Sequence, residues 1–254
     1  MQHDPEFERL IAAAKAYEME GWDWSAFEGR YVETPPPWDY HAVVMASLPK
    51  ASSLLDMGTG GGEFLSSLAP LPPETWATEA YLPNVPVARA RLAPLGVFLV
   101  TVEDEHRLPL PDAKFDLVIN RHESFDAGEV RRILRPGGLF ITQQVGGRDN
   151  EELNIALQEQ VTLSYGDWNA ATAAAQLRDA GLEVLEEREA ASPGRFADIG
   201  AVVMYLRITP WQIPEFSVAA FRPQLLALHR RMLAEGGLAT SIHRFLVVAR
   251  RPAE

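Results

Sequence analysis

A doubly wound α/β fold with a mostly parallel sheet is predicted by three observations. From residue 53 onward, short apolar runs alternate with helix-patterned stretches. That rhythm, about one βα unit per pair, marks a parallel sheet covered on both faces. The first run enters its helix through a glycine-rich turn, Gly58-Thr59-Gly60-Gly61-Gly62. Pro and Gly then stand where a crossover helix must stop, at Arg135-Pro136-Gly137-Gly138.

The elements follow in order. Asp4 is a good N-cap, Pro5 fits the first helical position, and Phe7, Leu10, Ile11 and Ala14 share one face. An aromatic loop runs from Trp22 to Tyr40, with Pro35, Pro36 and Pro37 forbidding a helix interior. Helical pattern resumes over 41–48. Strands are expected over 53–57, 75–79, 97–102, 115–120 and 139–143, and helices over 63–68, 85–92 and 129–134. A helix over 170–180 stops at Gly181, and a strand follows over 182–187. Helices over 199–208 and 218–233 flank a Pro-containing loop at 209–214; Pro223 in the second implies a kink or a later start. Gly236-Gly237 ends that helix, and 243–249 is the final strand. Residues 1–47 are read as a helical cap and 48–254 as the α/β domain, with a lid insertion at about 195–240. Trp22, Trp24, Trp38, Tyr40, Tyr205, Trp211 and Phe216 are the aromatic candidates for such lid segments.

Composition narrows the function. The 254 residues are 47% hydrophobic, enough for one large domain with a small cap. A net charge of −12 repels a phosphate backbone, so nucleic acid is not expected as a partner. With no cysteine there is no disulfide or thiolate zinc site, and the six histidines form no i,i+4 pair, so no metal is expected. The amino terminus lacks the charged and apolar regions of a secretory signal. The most apolar stretch, 201–206, ends at Arg207, far short of the roughly 20 residues of a membrane span. A soluble, cytoplasmic protein is the expectation. Arg131, Arg132 and Arg135 read as a solvated helix face.

The glycine turn carries the functional argument. Gly58, Gly60 and Gly62 let the backbone turn sharply and lie against a ligand, and Asp56 ends the strand before them. Glu79 ends the next strand, where a carboxylate accepts both hydroxyls of a ribose. A nicotinamide fingerprint starting at Gly58 would need glycine where Glu63 stands, and Glu63 at a helix start repels a pyrophosphate. The pattern instead resembles motif I of the class I methyltransferases, acid-x-G-x-G-x-G, matched by Asp56, Gly58, Gly60 and Gly62. Residues 103–118 are similar to that family's post-strand-3 acid and its L-P-F-x-D-x-x-F-D signature, and 132–138 to its R-V-L-K-P-G-G turn. The likeness covers about residues 50–145.

That resemblance implies a seven-stranded sheet and S-adenosylmethionine as cofactor. It implies that Asp104, beside Glu105, accepts from the adenine amino group, and it adds Asn120 to the cofactor residues. It also implies an antiparallel last strand, which would bring Ser241, His243 and Arg244 to the ligand edge. Arg121 and His122 follow the fourth strand and are the candidates for acting on the acceptor. His122 would take a proton, or Arg121 would anchor a carboxylate. Gln143, His243, Tyr205 and Trp211 are candidate substrate contacts. The leading expectation is methyl transfer to a small polar molecule. An RNA or protein methyltransferase and a cofactor-binding protein without catalysis are the alternatives, since methyl transfer often needs only proximity and orientation.

Overall fold

In the computed structural model, which describes residues 4–19, 24–104 and 106–253, the strands form one sheet of eight. The strands are β1 (Tyr31–Glu33), β2 (Ser53–Met57), β3 (Glu74–Glu79), β4 (Phe98–Thr101), β5 (Phe115–Arg121), β6 (Leu134–Val145), β7 (Glu183–Phe196) and β8 (Leu238–Arg250). Their order is β1-β7-β8-β6-β5-β2-β3-β4. The pairs β2/β3, β3/β4, β2/β5 and β5/β6 are parallel, while β6/β8 and β1/β7 are antiparallel. The helices are α1 (Pro5–Ala16), α2 (Tyr40–Ser47), α3 (Glu63–Ser67), α4 (Asn84–Leu92), α5 (Ala127–Ile133), α6 (Glu151–Leu157), α7 (Ala170–Asp179), α8 (Ile199–Ile208) and α9 (Arg222–Glu235).

The chain divides into two compact units. The larger contains 37–145, 169–189 and 244–254, and so the whole parallel part of the sheet. All five residues of β2 are buried, as are Leu117, Val118, Ile119 and Asn120 of β5. Continuous burial of this kind is what a strand covered on both faces requires. The smaller unit contains 1–36, 146–168 and 190–243. Its core joins Phe7, Ile11 and Ala14 of α1 to Val202, Val203 and Leu206 of α8 and Leu225 and Met232 of α9. Asp4 caps α1 through the Phe7 N–H at 3.1 Å, as its sequence position predicts.

The doubly wound architecture stands as predicted, with differences in detail. The eighth strand is β1, three residues at the sheet edge, too short to show an alternation. The strand expected over 182–187 continues as β7 to Phe196 through Pro193. Proline is tolerated there because only its carbonyl is used, accepting from the Thr34 N–H at 2.9 Å. The helix expected over 218–233 begins at Arg222, with Pro223 in its first turn where the missing N–H costs nothing. β6 starts at Leu134 and carries Arg135-Pro136-Gly137-Gly138 inside it, with the register shifting between Phe115 and Leu117 opposite. α6 is an element that the sequence pattern did not announce. No helix among the described residues is long and apolar enough to cross a membrane.

Candidate cofactor and acceptor site

The strand order turns around β2: the chain adds β3 and β4 on one side, then β5 and β6 on the other. The crevice outside the carboxyl ends of β2 and β5 is therefore the topological switch point, where open α/β sheets take their ligands. Asp56 pairs in register with Ala77 on one side and Ile119 on the other, one residue from the end of β2. The turn after it bends through left-handed glycines, Gly58 at φ 70° and Gly62 at φ 81°. A Cβ on Gly58 would run into the Glu123 side chain, so glycine serves both conformation and close approach. The turn is tied to β3 by the Gly58 N–H on Thr78 Oγ1 at 3.2 Å and the Thr59 N–H on the Thr78 carbonyl at 2.8 Å. Glu63 opens α3 and pairs with Arg91 of α4.

Two buried acids face this turn. Burial is the main cause that pushes the Asp56 carboxyl up to about 7; neighbouring Glu79 adds to it, while Thr59 and Arg121 oppose it. Glu79, at the end of β3, is likewise raised by burial. It accepts from the Tyr81 N–H at 2.7 Å, and the Gly60 N–H also favours its ionised form. Carboxylates held in this way are poised to ionise against a cation or to accept from hydroxyls.

The ends of β5 and β6 supply neutral polar groups. Asn120 is buried, and its Oδ1 accepts from Thr142 Oγ1 at 2.9 Å and Gln144 Nε2 at 2.6 Å. Its Nδ2 is buried with no partner, which is uncommon for a donor inside a fold. Trp38 Nε1 donates to Gln143 Oε1 at 2.8 Å, which turns the Gln143 Nε2 towards His122 Nε2 at 3.3 Å. An indole only donates, so the amide orientation is fixed and His122 Nε2 accepts, leaving the ring proton on Nδ1. His122 lies just after β5 and is exposed. Desolvation by the surrounding protein, then Arg244 and Arg121, hold its imidazole well below the ordinary value, so it is uncharged at neutral pH. The Arg121 guanidinium lies over the Phe64 ring, 5.5 Å from its centroid.

The larger unit thus gathers Asp56, Gly58, Gly60, Gly62, Glu79, Asn120, Arg121, His122 and Gln143. Asp104 is exposed in the loop after β4, where the His106 N–H donates to its Oδ1 at 2.9 Å. Glu105 and Trp22 lie outside the described residues. Trp38 and Tyr40, read from sequence as lid aromatics, sit in the larger unit, and the Tyr40 hydroxyl donates to the Asn120 carbonyl at 3.0 Å. Their part here lay outside sequence reasoning, because a proline-rich aromatic loop carries no periodicity that assigns it to a sheet. Tyr205 and His243 belong to the smaller unit, in a buried network around Asp149. Asp149 accepts from the His243 N–H at 2.9 Å and from the Tyr205 hydroxyl at 3.3 Å, and Asn150 Nδ2 donates to the Tyr31 hydroxyl at 2.8 Å. Trp211, in the same unit, is exposed. The expected solvated arginine face is corrected: Arg132 is largely covered and Arg135 pairs with Asp116 at 3.1 Å.

Residues 55–142 match the family described as methyltransferase domain. Over 115 residues the chain is 29% identical to the ubiquinone/menaquinone biosynthesis C-methyltransferase UbiE of Laribacter hongkongensis (strain HLHK9), a match covering 41% of this chain and 47% of that one. The chain thus spans about half the length of the curated relative it matches. A protein of unknown function from Deinococcus radiodurans R1 shares the fold at a TM-score of 0.61, with 16% identity over 87% of this chain and 90% of that one. A SAM-dependent methyltransferase from Aquifex aeolicus shares it at a TM-score of 0.50, with 16% identity over 98% and 100%.

Proposed function

We propose that this chain is a class I S-adenosylmethionine-dependent methyltransferase that transfers the cofactor's methyl group to a small polar molecule. The observation that carries the reading is the pair of buried acids, Asp56 and Glu79, on either side of a left-handed glycine turn at the switch point. S-adenosylmethionine presents what that cradle lacks: positive charge for an acid that ionises near neutral pH, and ribose hydroxyls for the carboxylate ending β3. When bound, it supplies an electrophilic methyl group on a sulfonium. Glu63 at the start of α3 makes the same turn a poor host for a pyrophosphate.

In this reading Asp56, Gly58, Gly60, Gly62, Glu79, Asp104 and Asn120 hold the cofactor. Arg121 and His122 act on the acceptor by orientation. An imidazole held below its usual range, with Nε2 already accepting from Gln143, is a weak base. Arg121 offers a planar fork of donors for an acceptor carboxylate. The polar ends of β5 and β6 favour a small polar acceptor. Likeness to a quinone C-methyltransferase favours a second reading, an aromatic ring acceptor.

Calorimetry with S-adenosylmethionine and turnover to S-adenosylhomocysteine against polar metabolites and quinols test these readings. Tighter binding of NAD than of the sulfonium would end the proposal, and turnover of quinols alone would move it to the ring acceptor. In the orientation role His122→Ala should slow turnover by much less than the roughly 100-fold loss that removal of a general base would cause, with cofactor affinity intact. Arg121→Ala as a lost anchor would mainly raise the acceptor's KM. Water exclusion by residues 1–47 and about 195–240 belongs to the same proposal. Slower hydrogen exchange in both on adding S-adenosylhomocysteine would support it, and protection limited to 58–62 would remove it.

A further inference from the structure

Arg132, on α5, makes a complete set of hydrogen bonds. Its Nε donates to Glu129 Oε1 at 2.8 Å, and its Nη1 to the Leu110 carbonyl at 2.7 Å and Asp112 Oδ1 at 2.6 Å. Its Nη2 donates to the Leu108 carbonyl at 3.0 Å and Glu129 Oε2 at 2.6 Å. A guanidinium has five N–H donors in a rigid fork, and here each has an acceptor. Three of the five acceptors lie on one segment, the loop that joins β4 to β5. Around this fork the same loop is tied to α5 at further points. The Leu108 N–H donates to Glu129 Oε2 at 2.8 Å, the Ala113 N–H to the Arg132 carbonyl at 2.8 Å, and His106 Nδ1 lies 3.2 Å from Asp126 Oδ2. Asp126 is itself the N-cap of α5. Leu108 and Leu110 are buried, whereas Asp104 at the head of the loop is exposed.

A polar loop of this length, left to itself, samples many conformations, and a carboxylate on it would meet a base in few of them. We propose that Arg132 is a positioning residue for cofactor recognition: it clamps the loop after β4 so that Asp104 is held for the exocyclic amino group of the adenine ring. The inference rests on the proposed cofactor, but the clamp itself is a property of the free protein. Lysine keeps the charge but has three donors on a flexible stem and cannot span Leu108, Leu110, Asp112 and Glu129 together. Base selection is therefore expected to fail in Arg132→Lys while ribose recognition by Glu79 continues.

Two measurements test this on the full chain, with wild type, Arg132→Lys and, as a second loop variant, Glu129→Gln. Hydrogen exchange of the free proteins should quicken over 106–112 in both variants and stay unchanged over 53–62. Calorimetry should show wild type preferring S-adenosylhomocysteine over S-inosylhomocysteine, which lacks the amino group. Arg132→Lys should weaken the adenosyl ligand about tenfold and leave the inosyl ligand nearly as before. Equal weakening of both ligands would mark Arg132 as a general structural residue and overturn the proposal. Unchanged exchange in the loop would overturn it too, as would equal affinity of the wild type for the two ligands. Loop exchange that responds as expected in a protein that binds neither ligand would leave the clamp standing and sink the methyltransferase reading instead.

Discussion

The two ends of the parallel sheet treat their acids in opposite ways. At the amino end of β5, Asp116 accepts from the Ser52 N–H at 2.9 Å, the Ser53 N–H at 3.1 Å, the Ser53 hydroxyl at 3.0 Å and Arg135 at 3.1 Å. These bonds overcome its partial burial and hold it far below the usual carboxylate range. At the carboxyl ends of β2 and β3, burial outweighs the donors that reach Asp56 and Glu79, and both are raised. The first acid is answered from within the fold and stitches β2, β5 and the start of β6 together. For the second pair burial prevails over the hydrogen bonds, and Asn120 Nδ2 on β5 is buried without a partner. A fold tolerates such a deficit where a ligand can make it good. The contrast separates the acid that builds the sheet from the acids proposed to hold the cofactor.

The largest expected effect breaks the structural end. Asp116→Ala should cost about 3 kcal/mol in denaturant unfolding, because several donors lose one charged acceptor together. Cofactor affinity of the folded fraction should stay at the wild-type value; a drop there would erase the distinction between the two ends. Glu79→Ala should do the reverse, weakening S-adenosylmethionine binding by about 1–3 kcal/mol with little change in unfolding. Full affinity in that variant would take Glu79 out of the ribose role.

Acid titration sharpens the contrast further. Asp116, lowered from 3.8, lends stability above that pH which is lost as the solution is acidified. Asp56, raised from 3.8 to about 7, has the opposite slope: its contribution is fully present below 3.8 and is lost as pH rises from there through about 7. A sulfonium or ammonium favours the ionised form, so wild-type affinity should decline as pH falls below about 7, approaching tenfold per unit at the acid end. Asp56→Asn should flatten that dependence over pH 5–8. A variant that keeps the wild-type slope would assign the titration to another group.

The sequence made one end of the sheet far easier to read than the other. Asp56, the glycines and Glu79 sit at element boundaries, and a boundary is a local feature that glycine and strand pattern expose. Asp116 was visible only as part of a family signature, since its partners come from residues 52, 53 and 135 and meet only when β2, β5 and β6 pair. Arg132 differs for the same reason: its helical position predicts a surface residue, but the loop that covers it arrives from elsewhere in the chain. The sequence predicts only the first half of β7 because its outer half, through Ser192-Pro193-Gly194, is mostly exposed or half-buried and shows no apolar alternation. Seven-residue α6 offered too few turns for a period to emerge, and its N-cap, Asn150, sits in a left-handed conformation without a side-chain capping bond.

His122 has a backbone φ of 61°, in the left-handed region that favours glycine. Holding a histidine there costs on the order of 1 kcal/mol relative to glycine. The chain therefore carries a small, local trade of robustness for an imidazole at the mouth of β5, and the trade can be undone at a single codon. His122→Gly should raise the unfolding free energy by about 1 kcal/mol while losing whatever the ring does for the acceptor. An alanine substitution keeps the unfavourable backbone and blurs the two effects. Under selection for stability alone this position should drift to glycine or asparagine; the proposed role at the acceptor requires that selection for turnover return it to histidine, so the residue recovered tests that role.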